Sequence, residues 1–280
     1  MQKSKSNALL VAQDQRGVAT LTLNRPDKHN AFDDSLIAAL IQQLAQLAEQ
    51  PNLRVLLLRA NGKSFSAGAD LNWMHRMADY TTEQNHADAL QLAKLMQCLH
   101  DFPAPTIAVV QGAAFGGGVG LVACCDMALA SADARFSLSE VRLGLIPAVI
   151  SPYVVRAIGV RAAQRYFLTA ERFSAAEALR LGLIHELAAS EALLEKRLAA
   201  IVNHLLLGGP QALHAAKQLI ASVSEQALDP ALIAETAKRI SHLRASAEGR
   251  EGLNAFLEKR TPNWVSWVEA DKPDTPDKEE

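Results

Sequence analysis

Cysteine is scarce in this chain of 280 residues, with only Cys98, Cys124 and Cys125. Three thiols, two of them adjacent, cannot build a disulfide framework, so a reducing compartment is expected. No Cys-x-x-Cys or His-x-x-x-His spacing accompanies them, which leaves no metal-ligand pattern and predicts no metal. In the apolar run LVACCDMAL the two cysteines read as small buried hydrophobes. Long apolar runs are missing too. No stretch of about 18 apolar residues exists to span a bilayer, and the opening MQKSKSNALLVAQ lacks a signal-peptide core, so a cytoplasmic protein with no membrane partner is expected. An excess of one charge is also absent, because 28 Lys and Arg stand against 30 Asp and Glu. With aromatics at 5%, this balance argues against an RNA-binding or other nucleic-acid surface, and any anionic ligand must be held locally.

What is present is apolar bulk, 49% of positions, enough for one large domain or one domain with an extension. The first two-thirds alternate strand-like runs with helical stretches. ALLVAQ (8–13), VATLTLN (18–24), LRVLLLR (53–59), TIAVVQ (106–111), MALAS (127–131) and RFSL (135–138) read as strands, with helices near 34–49 and 83–101. This is an α/β pattern. After RFSL the strands fade, and from about residue 190 to 258 apolar residues recur at helical spacing. The predicted organisation is a core over 1–200, a helical region over 201–268 and a disordered acidic tail over 269–280.

Two glycine sites follow strands and open helices. In AAFGGGVGLVACCD (113–126) the run Gly116-Gly117-Gly118 joins an apolar strand to an apolar helix, and in GKSFSAGADLNWM (62–74) Ala67-Gly68-Ala69-Asp70 does the same. The first N–H groups of a helix have no internal partner and lie at its positive end. Two such loops can aim two donors at one oxygen, as stabilisation of an enolate or tetrahedral oxyanion requires. A third segment, SLSEVRLGLIPAVISPYV (137–154), sets Glu140 among Leu138, Val141 and Leu143. A carboxyl in apolar company holds its proton more tightly, which suits proton transfer near neutral pH.

Together LNRP…NA, FSAGADL, the AFGGG helix start, the following CD pair and SEVRLGLIP resemble the crotonase (enoyl-CoA hydratase/isomerase) superfamily, from LTLNRPDKHNAF (21–32) to FLEKRTPNW (256–264). The resemblance implies a crotonase-like spiral of ββα turns, a helical C-terminal oligomerisation region, and a homotrimer or a hexamer made as a dimer of trimers. It implies a coenzyme A thioester as substrate and no separate cofactor. The N–H groups of Ala69 and Gly117 would form the oxyanion hole, and Glu140 would move protons. Lys28, His29, Ala31, Ala67, Asp70, Leu71, Gly116 and Gly120 would line the acyl-CoA, and Lys259 or Arg260, from the same or a neighbouring subunit, would reach a CoA phosphate. One departure stands out: typical hydratases carry a second glutamate where this chain has Gly120. That leaves room on the helix, or dispenses with a second protein carboxylate. The wording GGGVGLVACCD…SEVRLGLIPAVISPYVVRAIG resembles the branch acting on branched, carboxylated enoyl-CoAs, which implies hydration of 3-methylglutaconyl-CoA in leucine degradation. Two alternatives stay open: hydration of isohexenylglutaconyl-CoA in acyclic terpene degradation, and an isomerase shifting a double bond with Glu140 as sole base.

Overall fold

The computed structural model describes residues 7–224 and 226–265, so the predicted tail over 269–280 lies outside the described residues. The chain divides into two compact units, Met1–Ala199 and Ala200–Glu280.

The first unit begins with β1 (Leu9–Gln13) antiparallel to β2 (Val18–Leu23), then α1 (Asp34–Ala48). Asp33 caps α1 by accepting from the Leu36 N–H, and Leu36, Ile37, Leu40, Leu44 and Leu47 bury one stripe of it. From here the chain winds in repeating turns, each giving one strand to each of two sheets. The first turn is β3 (Val55–Ala60), β4 (Ser64–Ser66), α2 (Leu71–Ala78) and α3 (Thr82–His100). The second is β5 (Thr106–Val110), β6 (Ala113–Phe115) and α4 (Gly117–Cys124). The third is β7 (Met127–Ser131), β8 (Arg135–Ser137), a 3₁₀ turn Glu140–Leu143 and α5 (Ser151–Thr169). This is the spiral of ββα turns that the sequence leads one to expect.

The larger sheet has the order β1-β2-β3-β5-β7-β10 and is parallel beyond β2; the smaller runs β4-β6-β8-β9. Strands β3 and β5 are buried on both faces, which is why VLLLRA and TIAVV read as continuous rather than alternating apolar runs. Two strands escape the sequence reading, β9 (Phe173–Ser174) before α6 (Ala175–Leu181), and β10 (Glu186–Ala188) after it. At two and three residues they are too short to show a period, and they exist because β8 and β7 offer them an edge.

Helix α7 (Glu191–Leu207) runs across the division between the units. The second unit holds α8 (Pro210–Val223), α9 (Pro230–Ala245) and α10 (Ala247–Leu257). Within it, Glu248 accepts from the N–H groups of Gln211 and Ala212 and so satisfies the start of α8. The Trp264 indole donates to the carbonyl of Leu207 at 3.0 Å. No helix among the described residues is long and apolar enough to cross a membrane.

Candidate active site

The start of α4 is where the first unit concentrates its chemistry. Strand β6 ends at Phe115, and Gly116 turns the chain at φ 49°, ψ −118°, a conformation that disfavours any side chain. Its N–H donates to the Ser137 carbonyl at 2.9 Å, tying the turn to β8. Each glycine that follows is a place where another element closes in. A Cβ on Gly117 would lie 3.2 Å from the Phe32 ring, and one on Gly118 would lie 2.9 Å from the Ser66 carbonyl. The Gly117 N–H has no intrahelical acceptor and no partner among the described residues.

The second loop leaves β4 at Ser66, passes Gly68 at φ 90° and reaches Asp70, the cap of α2. Phe32 lies alongside it: its N–H donates to the Gly68 carbonyl at 2.7 Å, and its carbonyl accepts from the Asp70 N–H at 2.7 Å. Those bonds consume the groups on either side of Ala69, whose own N–H keeps no partner among the described residues. The two loops are neighbours. β4 pairs with β6 in parallel, Gly68 abuts the Phe115 carbonyl, and Phe32 holds Ala69 with its backbone and Gly117 with its ring.

Glu140 opens the 3₁₀ turn after β8, and its carboxyl faces this junction. Oε1 lies 3.1 Å from where a Gly116 Cβ would stand, and Oε2 is buried without a hydrogen-bond partner among the described residues. Burial pushes the Glu140 carboxyl up from its ordinary 4.5, opposed only by a backbone hydrogen bond. The source of that burial differs in part from the sequence expectation. Leu138 is fully buried, but Leu143 is 57% exposed, so the close packing over Gly116 takes its place.

Of the residues expected to line coenzyme A, those at 28–31 and 67–71 lie along the second loop. His29 and Asn30 are both left-handed, and the buried Asn30 side chain fixes the turn by donating to the carbonyls of Asn61 and Ser64 and accepting from the Arg25 N–H. The Ala67 N–H donates to the His29 carbonyl, the Ala31 N–H donates to that of Lys28, and His29 Nδ1 lies 3.1 Å from Ser64 Oγ. Thus 28–31 runs along 64–70. Leu71 is 74% exposed beside it.

Asp70 is occupied structurally. It caps α2 through the N–H groups of Asn72 and Trp73, and its Oδ2 pairs with Lys28 at 2.9 Å and with Arg25 at 3.4 Å. Burial alone would raise its pKa; the bonds from Lys28, Asn72 and Trp73 outweigh that and hold the carboxyl below its usual range. Arg25 also pairs with Asp33 at 2.7 Å, so one guanidinium joins the caps of α1 and α2. Sequence reasoning misses Arg25 and Asn30 as organising residues, although Asn is a residue that tolerates left-handed backbone. Lys259 stands exposed in the second unit at φ 54°, and Arg260 beside it is bound to Glu251 and Glu258.

Gly120 corrects one expectation. The helix carries no side chain there, but the space is not open, because a Cβ would come within 2.3 Å of Ile150 Cγ2 and 3.2 Å of Met96 Cε. Ile150, thirty residues away in sequence, fills the room beside the glycine. Neither spacing nor composition signals such a contact.

The family model described as enoyl-CoA hydratase/isomerase matches residues 13–267. The 2,3-dehydroadipyl-CoA hydratase of Escherichia coli is 35% identical over 260 residues, covering 91% of this chain and 98% of its own. Among solved structures, an enoyl-CoA hydratase from Shewanella pealeana is 50% identical with a TM-score of 0.89, covering 93% of this chain and 97% of its own. Pseudomonas aeruginosa AtuE is 37% identical with a TM-score of 0.88, covering 92% and 100%.

Proposed function

This chain belongs to the enoyl-CoA hydratase/isomerase family as a hydratase-type lyase, and we propose that its substrate is a branched, carboxylated enoyl-CoA, with 3-methylglutaconyl-CoA preferred, as leucine degradation requires. The observation that carries the proposal is the Glu140 carboxyl, with Oε1 over Gly116 and Oε2 buried and without a hydrogen-bond partner among the described residues, beside a helix start and a loop that each hold an N–H without such a partner.

In this reading the thioester carbonyl accepts from the N–H groups of Ala69 and Gly117. As water adds at carbon 3, its proton passes to Glu140 and the double-bond electrons move onto the carbonyl oxygen as an enolate. The two donors stabilise that charge where it develops. Glu140 then returns the proton to carbon 2, and the carbonyl re-forms with H and OH added. Coenzyme A enters as part of the substrate, lined by Lys28, His29, Ala31, Ala67 and Leu71. No separate cofactor is called for. The three thiols outside any disulfide fit a cytoplasmic setting.

Two facts support an acidic acyl group. With Ile150 over Gly120, α4 supplies no second carboxylate to orient water, so a carboxylate on the substrate takes that part. The 35% identical relative, by its name, acts on a dicarboxylic acyl group. The distal charge needs a cation in an apolar setting. On α2 and the Glu140 turn the polar and basic residues near the site are Asn72, His75, Arg76 and Arg142, and of these Arg76 is already paired with Asp34 at 2.7 Å. Arg142 is exposed on the Glu140 turn, with no side-chain partner among the described residues, and fits the role best.

The test is a panel of enoyl-CoA esters with and without a distal carboxylate. 3-Methylglutaconyl-CoA should exceed crotonyl-CoA in kcat/KM by at least about tenfold, roughly 1.4 kcal/mol of transition-state discrimination. Equal values would refute the acidic substrate. A second reading follows from the lone carboxylate: Glu140 takes a proton from carbon 2 and redelivers it at carbon 4, moving the double bond without water. Oxygen incorporation separates the two.

A further inference from the structure

Glu140 and Ile150 are the two ends of one segment draped along α4. Glu140 stands over Gly116 and Ile150 over Gly120, four residues and about one helical turn (~5.4 Å) further on the same face. Short bonds stiffen the strap between them: the Leu145 N–H donates to the Glu140 carbonyl at 3.1 Å, the Ala148 N–H to Ile146 at 2.8 Å, and the Ser151 N–H to Ala148 at 3.1 Å. Ile150 ends it as the residue preceding α5, is 2% exposed, and is backed by the buried Met96 of α3. Within the strap Leu145 and Ile146 are exposed, whereas Pro147 and Ile150 are buried. The face of α4 between Gly116 and Gly120 therefore has a proton-transfer group at one end and an apolar wall at the other.

We propose that Ile150 is the residue that limits acyl length: the chain bound at Glu140 meets its side chain one helical turn further on and is held to short, compact groups. The inference rests on the reading of Glu140 and the two N–H groups given above. Glycine at 120 is part of the same device, since any side chain there would displace Ile150 and, through the strap, Glu140.

The experiment measures kcat/KM for crotonyl-CoA and for straight-chain 2-octenoyl-CoA in wild type, Ile150→Ala and Ile150→Val, with circular dichroism to establish folding. The octenoyl-to-crotonyl ratio should rise by about tenfold or more in Ile150→Ala and by less in Ile150→Val, because the wall recedes in steps. In the Ile150→Ala background, Gly120→Ala should bring the ratio back down by refilling the space. Ratios within about twofold of wild type in both folded Ile150 variants would overturn the inference alone. A wild type inactive on every ester would overturn the reading of the site, and this inference with it.

Discussion

At the scale of single residues, Glu140 couples activity to stability. Its carboxyl is pushed above its ordinary 4.5 by burial, and no hydrogen bond to Oε2 compensates the charge. A group whose folded pKa is raised favours folding most while protonated, below 4.5, and that contribution is lost as pH rises through the folded value. Above the ordinary carboxyl range the wild type therefore bears a cost of ionising a carboxyl held out of water, which Glu140→Gln removes. The variant should match or exceed wild type in urea midpoint at pH 7, and that advantage should shrink as the pH approaches 4. A variant less stable at pH 7 than at pH 4, relative to wild type, would contradict the burial. Glu140 stands out in sequence because a carboxylate in an apolar run is conspicuous. Ile150 does not, because an isoleucine before a helix is ordinary and its partner Gly120 is distant in the chain.

At the scale of elements, the two glycine loops depend on how closely α4 and β4 approach. Gly118 is the tightest of these contacts made with backbone, its absent Cβ only 2.9 Å from the Ser66 carbonyl. Gly118→Ala should force the helix start away from the strand and cost about 1–3 kcal/mol in stability. The same shift spreads the Ala69 and Gly117 N–H groups, so turnover should fall by at least about tenfold, with KM changing less. Unchanged turnover would mean that the two loops do not act as a pair. Long elements such as β3 and α1 are legible in sequence because each buries a continuous run or a full stripe. The strands β9 and β10 are not, since pairing with β8 and β7 makes them, rather than any pattern of their own. The strand–glycine–helix junctions are legible by composition. The joining of two helix caps through Arg25 is not, because it depends on where Asp33 and Asp70 meet in space.

At the scale of the whole molecule, the second unit leaves Ile220, Leu228, Ile233, Phe256 and Leu257 exposed. Apolar surface of this kind is expected to be covered by assembly, so a homotrimer or a hexamer should be the active form in solution. Light scattering checks this, and a stable, active 30.2 kDa species would contradict it. The central claim, that one buried carboxyl and two N–H groups add water to an enoyl thioester, is tested most directly with water labelled in heavy oxygen. Wild type should place one labelled oxygen on carbon 3 of the product. Glu140→Gln should do so about 10²–10⁴ times more slowly while still binding the CoA ester. A shifted double bond without label, or label entering the product of Glu140→Gln at more than half the wild-type rate, would contradict the account.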